Sequence, residues 1–259
     1  MKKAVIIAIA SRKGGVAKTT TVAALGAYYA KQGLRTLLVD VDSQANLTRT
    51  FLVTEPEETI TRIFAGKSVP VYGIREYLTL APADEDLAAV EGGLKWASQR
   101  EILKNVLDPL REYYDIILID CPPSLSWLMI NALSACDYLF VPVEADQKAI
   151  DAISLIGEAC EQSATPTQID GIFFTRFEPR LKASREAVEL LMLAYWDKVM
   201  ATRIRKCSKV PESSLCRTDI ISFSSGCNAS LDYAKLAQEI TSIVGLPLEE
   251  PQNEVNVNL

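Results

Sequence analysis

The chain has 259 residues, of which 49% are apolar, and its formal net charge at pH 7 is −6. This length suits one large α/β domain or two small ones, and the composition predicts a soluble globular protein with a substantial core. No apolar run approaches the ~20 residues that a membrane-spanning helix needs. The negative charge argues against a protein that is basic over its whole surface, although it leaves room for a local basic face.

Short apolar runs alternate with longer segments of helical spacing along the chain. The near-continuous apolarity of these runs predicts strands that are covered on both faces, as in a parallel sheet. The predicted strands are residues 4–10, 35–41, 77–81, 115–120, 138–143, 171–175 and 199–204. The predicted helices lie at 19–33, around 84–112, and at 126–135, 148–162, 184–198 and about 228–244. This order predicts a single doubly wound α/β domain over residues 1–245, with helices on both faces of a mostly parallel twisted sheet, and a polar, acidic C-terminal tail at 246–259.

The first predicted strand leads into SRKGGVAKTTT, residues 11–21. The common phosphate-loop pattern, GxxxxGK(S/T), would place glycines where this chain has Arg12 and Ala17. The context is still that of a phosphate loop, because an apolar strand enters it and a Lys-Thr pair opens an alanine-rich helix. Backbone N–H groups and the positive end of the helix dipole would face an anion there. In such a loop Lys18 would reach the β- and γ-phosphates, and the Thr19 hydroxyl would bind Mg²⁺.

The segment KGGVAKTT resembles the deviant Walker A loop, KGGxxK(S/T), of the ParA/MinD family of partition and positioning ATPases. The resemblance implies a P-loop NTPase fold with ATP and Mg²⁺ as cofactors. It also implies that Lys13 reaches across a homodimer to the phosphates of the partner's ATP, so that two nucleotides lie between two subunits. The loop residues that would bind the nucleotide are Lys13, Gly14, Gly15, Val16, Ala17, Lys18, Thr19 and Thr20. Ala17 stands where the family usually has glycine; we expect a cost of ~1 kcal/mol if this position has a positive φ, and none if it is helical.

A second group of polar side chains follows the strand at 35–41, in the segment LLVDVDSQANLT. Alternation along a strand puts Asp40 and Asp42 on the same side, at the carboxyl end where ligands of such sheets bind. The segment resembles the family's DxDPQGN motif, with Ser43 and Ala45 in place of the usual Pro and Gly. By this resemblance Asp42 would orient the attacking water and Asp40 would support the Mg²⁺ shell. A capping role at the exit of the strand is the alternative.

The segment YYDIILIDCPPS, residues 113–124, has the form of a Walker B strand. Four apolar residues precede Asp120, and a carboxylate at that position holds Mg²⁺ through a water ligand. Pro122 and Pro123 then end the strand. Neither a base nor a metal ligand accompanies the neighbouring Cys121, so we expect it to be a buried structural cysteine.

The region 176–209 carries nine lysines and arginines against four acidic residues. An ordinary solvated helix face remains the alternative explanation. The stretch TRFEPRLKASREAVELL resembles the DNA-partition branch of the family, which places Thr175 near the base pocket and implies a basic surface that holds duplex DNA by its phosphates. The candidate DNA-binding residues are Arg180, Lys182, Arg203, Arg205 and Lys206.

These features together predict a cytoplasmic partition ATPase for plasmid, chromosome or mobile-element DNA. ATP would close a homodimer on nonspecific double-stranded DNA, where the protein would associate with the nucleoid. A ParB-like partner would then stimulate an otherwise weak ATP hydrolysis and release the dimer. The chain has six cysteines without a CxxC pair and no histidine, so we expect reduced thiols and neither a zinc nor an iron–sulfur site within the chain.

Other branches of the family fit less well. The MinD branch ends in a basic amphipathic helix, whereas LPLEEPQNEVNVNL carries three acids and no base, so we expect no membrane partner. The tyrosine cluster of related kinases and the CxxC of iron–sulfur carriers are absent, and the sequence begins with the first strand, so we expect no N-terminal DNA-reading domain. A related positioning or assembly ATPase, MinD-like or associated with conjugation and acting on a protein partner, remains the alternative function.

Overall fold

A computed structural model describes residues 3–93, 99–146, 149–246 and 248. Within these residues the chain forms one eight-stranded sheet with the strand order β3-β4-β2-β5-β1-β6-β7-β8. The strands are β1 (Val5–Ile9), β2 (Thr36–Asp40), β3 (Tyr72–Arg75), β4 (Leu78–Ala81), β5 (Ile116–Asp120), β6 (Tyr138–Glu144), β7 (Ile169–Phe177) and β8 (Val199–Arg205). Neighbouring strands are parallel except for the pair β3 and β4.

Helices cover both faces of this sheet, as the continuous apolar strands predict. They are α1 (Lys18–Lys31), α2 (Asn46–Phe51), α3 (Asp86–Gly93), α4 (Ile102–Leu107), α5 (Trp127–Ala135), α6 (Ala149–Glu161), α7 (Lys182–Tyr195), α8 (Lys209–Leu215), α9 (Ile220–Phe223) and α10 (Asn228–Val244). Ile6 belongs to the apolar cluster that α5 and α6 complete, whereas Ile7 belongs to the cluster with α1 and α10. Successive residues of one strand therefore pack into two different cores, and the predicted fold class is confirmed.

The structure adds one strand that the sequence analysis does not contain. β3 is an antiparallel edge strand, and its YGIR side chains are alternately half-buried and exposed, so it lacks the apolar run that marks the other strands. The predicted helical stretch around 84–112 is divided into α3, α4 and a 3₁₀ turn at Asp108–Glu112, and residues 94–98 lie outside the described part. Most of the predicted tail, 246–259, also lies outside it, so the domain boundary stays a prediction. No helix in the described part of the chain is both long and apolar enough to cross a membrane.

Two alanines have left-handed backbone conformations at the starts of helices. Ala17 precedes α1 with φ 65° and ψ 30°, and Ala45 precedes α2 with φ 50° and ψ 36°. Both stand where the ParA/MinD motifs usually have glycine, which adopts this conformation without a Cβ clash. The condition under which Ala17 costs stability is therefore met, and the same holds for Ala45.

We expect Ala17→Gly to raise the free energy of unfolding by about 1 kcal/mol. The left-handed conformation costs a residue with a Cβ roughly 1–2 kcal/mol, which exceeds the backbone entropy cost of glycine, roughly 0.5–1 kcal/mol. Urea denaturation without nucleotide measures the difference. Ala183→Gly is the matched control, because Ala183 is an exposed residue of α7 and glycine in a right-handed helix is destabilising. Equal destabilisation by both changes would contradict strain at Ala17.

Candidate functional site

The candidate site lies at the carboxyl edge of the central strands β1, β2 and β5. Ile9 of β1 and Asp40 of β2 are both in register with Asp120 of β5. Parallel strands that end together in this way place the residues that follow them around one crevice. A cavity of about 1110 Å³ occupies this edge, and the phosphate loop forms part of its wall.

The phosphate loop has an open backbone surface toward this cavity. Gly14 and Gly15 line the cavity, and no described atom lies within 4 Å of the place where a Cβ of either would be. Gly15 also has a φ of 78°. The loop ends at Ala17, whose carbonyl oxygen accepts the first α1 hydrogen bond, from the N–H of Thr21 at 2.9 Å. Unblocked backbone N–H groups at the start of a 14-residue helix fit an anion such as a phosphate.

Lys18 carries a buried ammonium group at the base of the cavity. Its side chain lies among Asp120, Cys121 and Asp42. Burial is the largest influence and lowers the pKa of Lys18, while the carboxylates of Asp120 and Asp42 oppose the shift. A cation that is partly stripped of water is prepared to bind a highly charged anion, because an anion supplies the counter-charge that burial has removed.

Asp120 is the strongest indication of a bound cation. It is 1% exposed, and neither carboxylate oxygen receives a hydrogen bond of regular geometry from the described residues. Burial raises the pKa of Asp120 well above its ordinary range, and the charge of Asp40 adds to this, while the nearby Thr19 hydroxyl and Lys18 lower it. A buried carboxylate beside a threonine hydroxyl fits a hard divalent cation such as Mg²⁺.

The remaining ligands of such a cation would have to come from water and phosphate. No group of three or more His, Cys, Asp or Glu residues in the described part of the chain is arranged to hold a metal by itself. Mg²⁺ is commonly bound in this way, by one or two protein oxygens together with substrate phosphates and several waters.

Asp42 faces the cavity, whereas Asp40 does not. Asp42 lines the cavity, and its Oδ1 accepts a hydrogen bond from the Gln44 N–H at 3.0 Å. Asp40 is fully buried and accepts from the Asp42 N–H at 3.2 Å and from the Thr48 N–H and hydroxyl at 2.9 and 2.8 Å. The prediction that both aspartates lie on the same side of the strand does not hold, because β2 ends at Asp40, alternation along a strand no longer applies at Asp42, and of the two only Asp42 lines the cavity.

Asp40 shapes the loop that carries Asp42. Its hydrogen bonds join the end of β2 to the first turn of α2, and the Thr48 hydroxyl accepts in turn from the N–H of Ala83. Burial raises the pKa of Asp40 to about 6, against the hydrogen bonds from Thr48 and Asp42, which lower it. Its influence on the cavity is electrostatic, through Asp120, rather than by contact.

Thr175 supports the phosphate loop from behind. It is 1% exposed, and its hydroxyl lies 3.2 Å from the Val16 carbonyl oxygen and 3.3 Å from that of Val143, to either of which it can donate. The cavity lining includes the next residue, Arg176, but not Thr175. Thr175 therefore contacts the phosphate loop without lining the cavity, and its place near the base pocket stays a prediction.

Known proteins resemble this chain over almost its whole length. A family model described as AAA domain matches residues 4–168. The chromosome-partitioning ATPase Soj of Treponema pallidum is 36% identical over 245 residues, which are 90% of this chain and 95% of that protein. The chromosome partitioning protein ParA of Caulobacter vibrioides is 32% identical over 92% of this chain and 94% of its own length. The chain belongs to the ParA/MinD family.

A solved structure agrees with this membership. Cobyrinic acid a,c-diamide synthase from Mycobacterium smegmatis, crystallised with an ATP analog and magnesium, superposes with a TM-score of 0.79. It is 28% identical in sequence, and the match covers 95% of this chain and 100% of that one. Within the ParA/MinD family the two partition proteins place this chain in the ParA/Soj branch.

In this ParA/MinD-family chain, Lys13 is held by acidic groups of its own subunit. Its ammonium group donates to Glu144 Oε2 at 2.7 Å and to Asp146 Oδ2 at 2.5 Å. Burial lowers the pKa of Lys13, but the hydrogen bonds to Asp146 and Glu144 outweigh it and raise the pKa above its ordinary value. The side chains of Lys13 and Glu144 are 30% and 23% exposed, so the pair lies at the rim of the cavity.

The far wall of the cavity is the part of the site that the sequence analysis missed. The loop after β8 and helix α8 supply it, through Ser208, Val210, Pro211, Ser213 and Ser214. The neighbouring residues Arg203, Arg205 and Lys206 are predicted to bind DNA because of their charge and the family resemblance. A proline that opens a helix directly after a basic strand was the available signal, and charge counting alone does not detect it.

The five candidate DNA-binding residues differ in their surroundings. Arg205 forms a bidentate pair with the buried Asp232, at 2.8 and 2.7 Å, and therefore has a structural role. Lys182 pairs with Glu186 and Lys206 with Glu178, at 3.1 and 3.0 Å on the surface. Arg180 is exposed, as is Arg203, whose guanidinium lies 5.1 Å from the centre of the Phe177 ring.

We expect Asp120→Asn to raise the melting temperature of the nucleotide-free protein at pH 7 by about 2–8 °C, since removing a buried like charge is worth roughly 1–2 kcal/mol. Burial raises the pKa of Asp40 from 3.8 to about 6 and that of Asp120 well above its ordinary range. Their stabilising contribution is therefore complete below the unfolded pKa and is lost as the pH rises through the folded values. The increase in melting temperature caused by Asp120→Asn should consequently be smaller at pH 5 than at pH 7.

Asp115→Asn is the matched control for this measurement. Asp115 accepts hydrogen bonds from Arg35. These bonds lower the pKa of Asp115, and their effect is larger than that of burial, which raises it. Removing its charge should lower the melting temperature at pH 7. A decrease of the same size for Asp120→Asn would show that Asp120 is paired in the folded protein and contradict this account.

Proposed function

We propose that this chain is a partition ATPase in which ATP closes a homodimer that binds nonspecific double-stranded DNA. The observation that carries the proposal is that Lys18, Thr19 and Asp42 line one cavity beneath the phosphate loop, while the buried Asp120 lies behind them, next to Thr19 and Lys18. The Soj and ParA relatives, named for chromosome partitioning, support the biological role.

In the proposed site ATP lies along the cavity with its phosphates on the loop. The N–H groups around Gly14, Gly15 and Val16 and the Lys18 ammonium bind the phosphates, as in other phosphate loops. Thr19 and Asp120 would hold Mg²⁺, and the ion would neutralise phosphate charge. The wall at 208–214 lies beside the base. Asp42 accepts a hydrogen bond from the attacking water and so orients it.

The proposed dimer requires Lys13 to leave its own acidic partners. In the single chain its ammonium is neutralised by Glu144 and Asp146. The triphosphate of a second subunit offers a denser negative charge than these two half-exposed carboxylates, so Lys13 can exchange one set of partners for the other. Hydrolysis then removes part of that charge, and a ParB-like partner accelerates this slow step.

DNA binding in this proposal depends mainly on Arg180 and Arg203. Both are exposed, so their binding to backbone phosphates breaks no buried ion pair. Lys182 and Lys206 can contribute, because surface pairs such as theirs are worth only ~1 kcal/mol or less. Arg205 cannot leave Asp232 without exposing a buried carboxylate, so it positions β8 instead.

We expect Lys13→Ala to bind ATP but to remain a monomer, whereas Lys18→Ala should lose at least ~30-fold in ATP affinity, which corresponds to about 2 kcal/mol for a charge-assisted contact. Equilibrium binding of ATP and light scattering with a slowly hydrolysed analogue measure the two effects. Lys31→Ala is the control, because Lys31 is exposed at the opposite end of α1. A Lys13→Ala protein that dimerises with ATP like the native chain would refute the role of Lys13.

We expect a random DNA duplex to be shifted in a gel only in the presence of ATP or its slowly hydrolysed analogue, and less at high salt. The double change Arg180→Ala and Arg203→Ala should make the negative slope of log affinity against log salt concentration less steep by about 2, since each phosphate contact contributes ~0.9. Lys31→Ala should leave that slope unchanged. If ATP binds but the duplex is not shifted in any nucleotide state, the protein does not bind DNA. The alternative function, an ATPase that acts on a protein partner, is then favoured.

A further inference from the structure

Cys207 and Cys227 lie close together at the wall of the cavity, although both are distant in sequence from the phosphate loop. The Arg205–Asp232 pair ties the end of β8 to α10. Cys207 follows Arg205 by two residues, a span of at most ~7 Å. Cys227 precedes Asp232 by five residues, which is ~7.5 Å along a helix axis. The ion pair therefore brings both cysteines to the same end of α10.

The side chains of Cys207 and Cys227 are neighbours there. The Cys207 side chain is close enough to be one of the groups that lower the pKa of Cys227, and both side chains are partly buried against one apolar cluster. Cys227 caps α10, since its sulfur accepts from the Ser230 N–H at 3.5 Å and lies 3.4 Å from the Ser230 hydroxyl. The Lys209 ammonium, which is paired with Glu212, lies near both cysteines.

The surroundings of Cys227 favour the reactive thiolate. Burial alone would raise the pKa of its thiol, but hydrogen bonds from Ser230, Cys207 and Ser224 together lower it below the ordinary value. A thiol near a helix N-terminus and a lysine is the kind that reacts with disulfides. The position of Cys227 thus combines an activated sulfur with a second thiol close by.

The other four cysteines lack this combination. Burial raises the pKa of Cys121, Cys136 and Cys160, and buried thiols of this kind are inert. Cys216 is exposed and provides a natural comparison, because it is accessible but is not in contact with another thiol among the described residues.

We propose that Cys207 and Cys227 form a redox-active dithiol, which a low-molecular-weight disulfide oxidises to an intramolecular disulfide at the wall of the nucleotide cavity. The Cys227 thiolate attacks one sulfur of the small disulfide, forming a mixed disulfide and releasing one thiolate. The Cys207 thiol loses its proton to solvent and attacks the Cys227 sulfur, which releases the second small thiolate. Two protein thiols are oxidised and one small disulfide is reduced to two thiols, so the reaction is balanced.

The disulfide would restrain the wall through which a nucleotide leaves. Cys207 itself lines the cavity, next to Ser208 and ahead of α8. A bond to Cys227 fixes this loop to α10, which is already fixed to β8 by Asp232. We therefore expect oxidation to slow nucleotide release. This consequence rests on the proposed ATP function, whereas the dithiol itself does not.

The test uses the full chain, equilibrated with glutathione and glutathione disulfide at a series of ratios, then alkylated and digested with trypsin. Cys207, Cys216 and Cys227 fall in different tryptic peptides, 207–209, 210–217 and 218–235. We expect the peptides 207–209 and 218–235 to be joined with the loss of two hydrogens, while Cys216 forms at most a mixed disulfide. A cross-link to Cys216, or no link between Cys207 and Cys227 at any ratio, overturns the proposal.

Variants separate the chemistry from effects on folding. Cys207→Ser should stop at the mixed disulfide on Cys227, and Cys216→Ser should behave like the native chain. Release of a fluorescent ATP analogue should be about threefold slower from the oxidised than from the reduced native chain, with no change on oxidation for Cys207→Ser. Equal release rates with the disulfide formed would overturn the effect on the wall. Absence of analogue binding in both redox states, with the disulfide formed, would instead overturn the ATP function and leave the dithiol standing.

Discussion

The cavity edge depends on how charge is balanced around one buried ammonium group. Lys18 lies near Asp120 and Asp42, and Asp120 in turn feels Asp40 across the register of β2 and β5. Three carboxylates and one ammonium leave this region with excess negative charge and little water. Charged groups that are held so close are costly without further counter-ions. The arrangement is therefore completed by a cation near Asp120 and an anion near Lys18, which is the combination that magnesium and a nucleotide provide.

Backbone strain at the same edge is compatible with this balance. Ala17 and Ala45 hold left-handed conformations that glycine would adopt without a clash. The loops thus keep their left-handed conformation although alanine replaces the glycine that adopts it without strain. Packing overdetermines these positions: Ala17 is followed at once by α1, and Ala45 is buried between the Asp42 carbonyl and α2. Strain of this kind is found where a functional backbone must be held in one conformation.

The sequence allows the fold to be predicted well and the site only in part. Continuous apolar strands predict a sheet with helices on both faces, and the family motifs indicate the phosphate loop and Asp120. The spacing of Asp40 and Asp42 does not reveal that β2 ends between them, and an alternating strand such as β3 leaves no apolar run. Contacts between distant residues have no local signal at all: Glu144 lies 131 residues from Lys13. Likewise, the presence of an arginine at position 205 does not predict its pairing with the buried Asp232.

The pair that holds Lys13 also separates two quantities that a nucleotide switch must set. In the proposed dimer a subunit would pair only in the fraction of molecules in which this lysine has left Glu144 and Asp146, and because both subunits must do so, the apparent dissociation constant would rise with the inverse square of that fraction. The affinity of the phosphate loop for its ligand does not depend on this fraction. In this proposal the acidic residues at the rim would therefore raise the protein concentration at which subunits pair, while the loop would set the nucleotide affinity of a single, unpaired subunit.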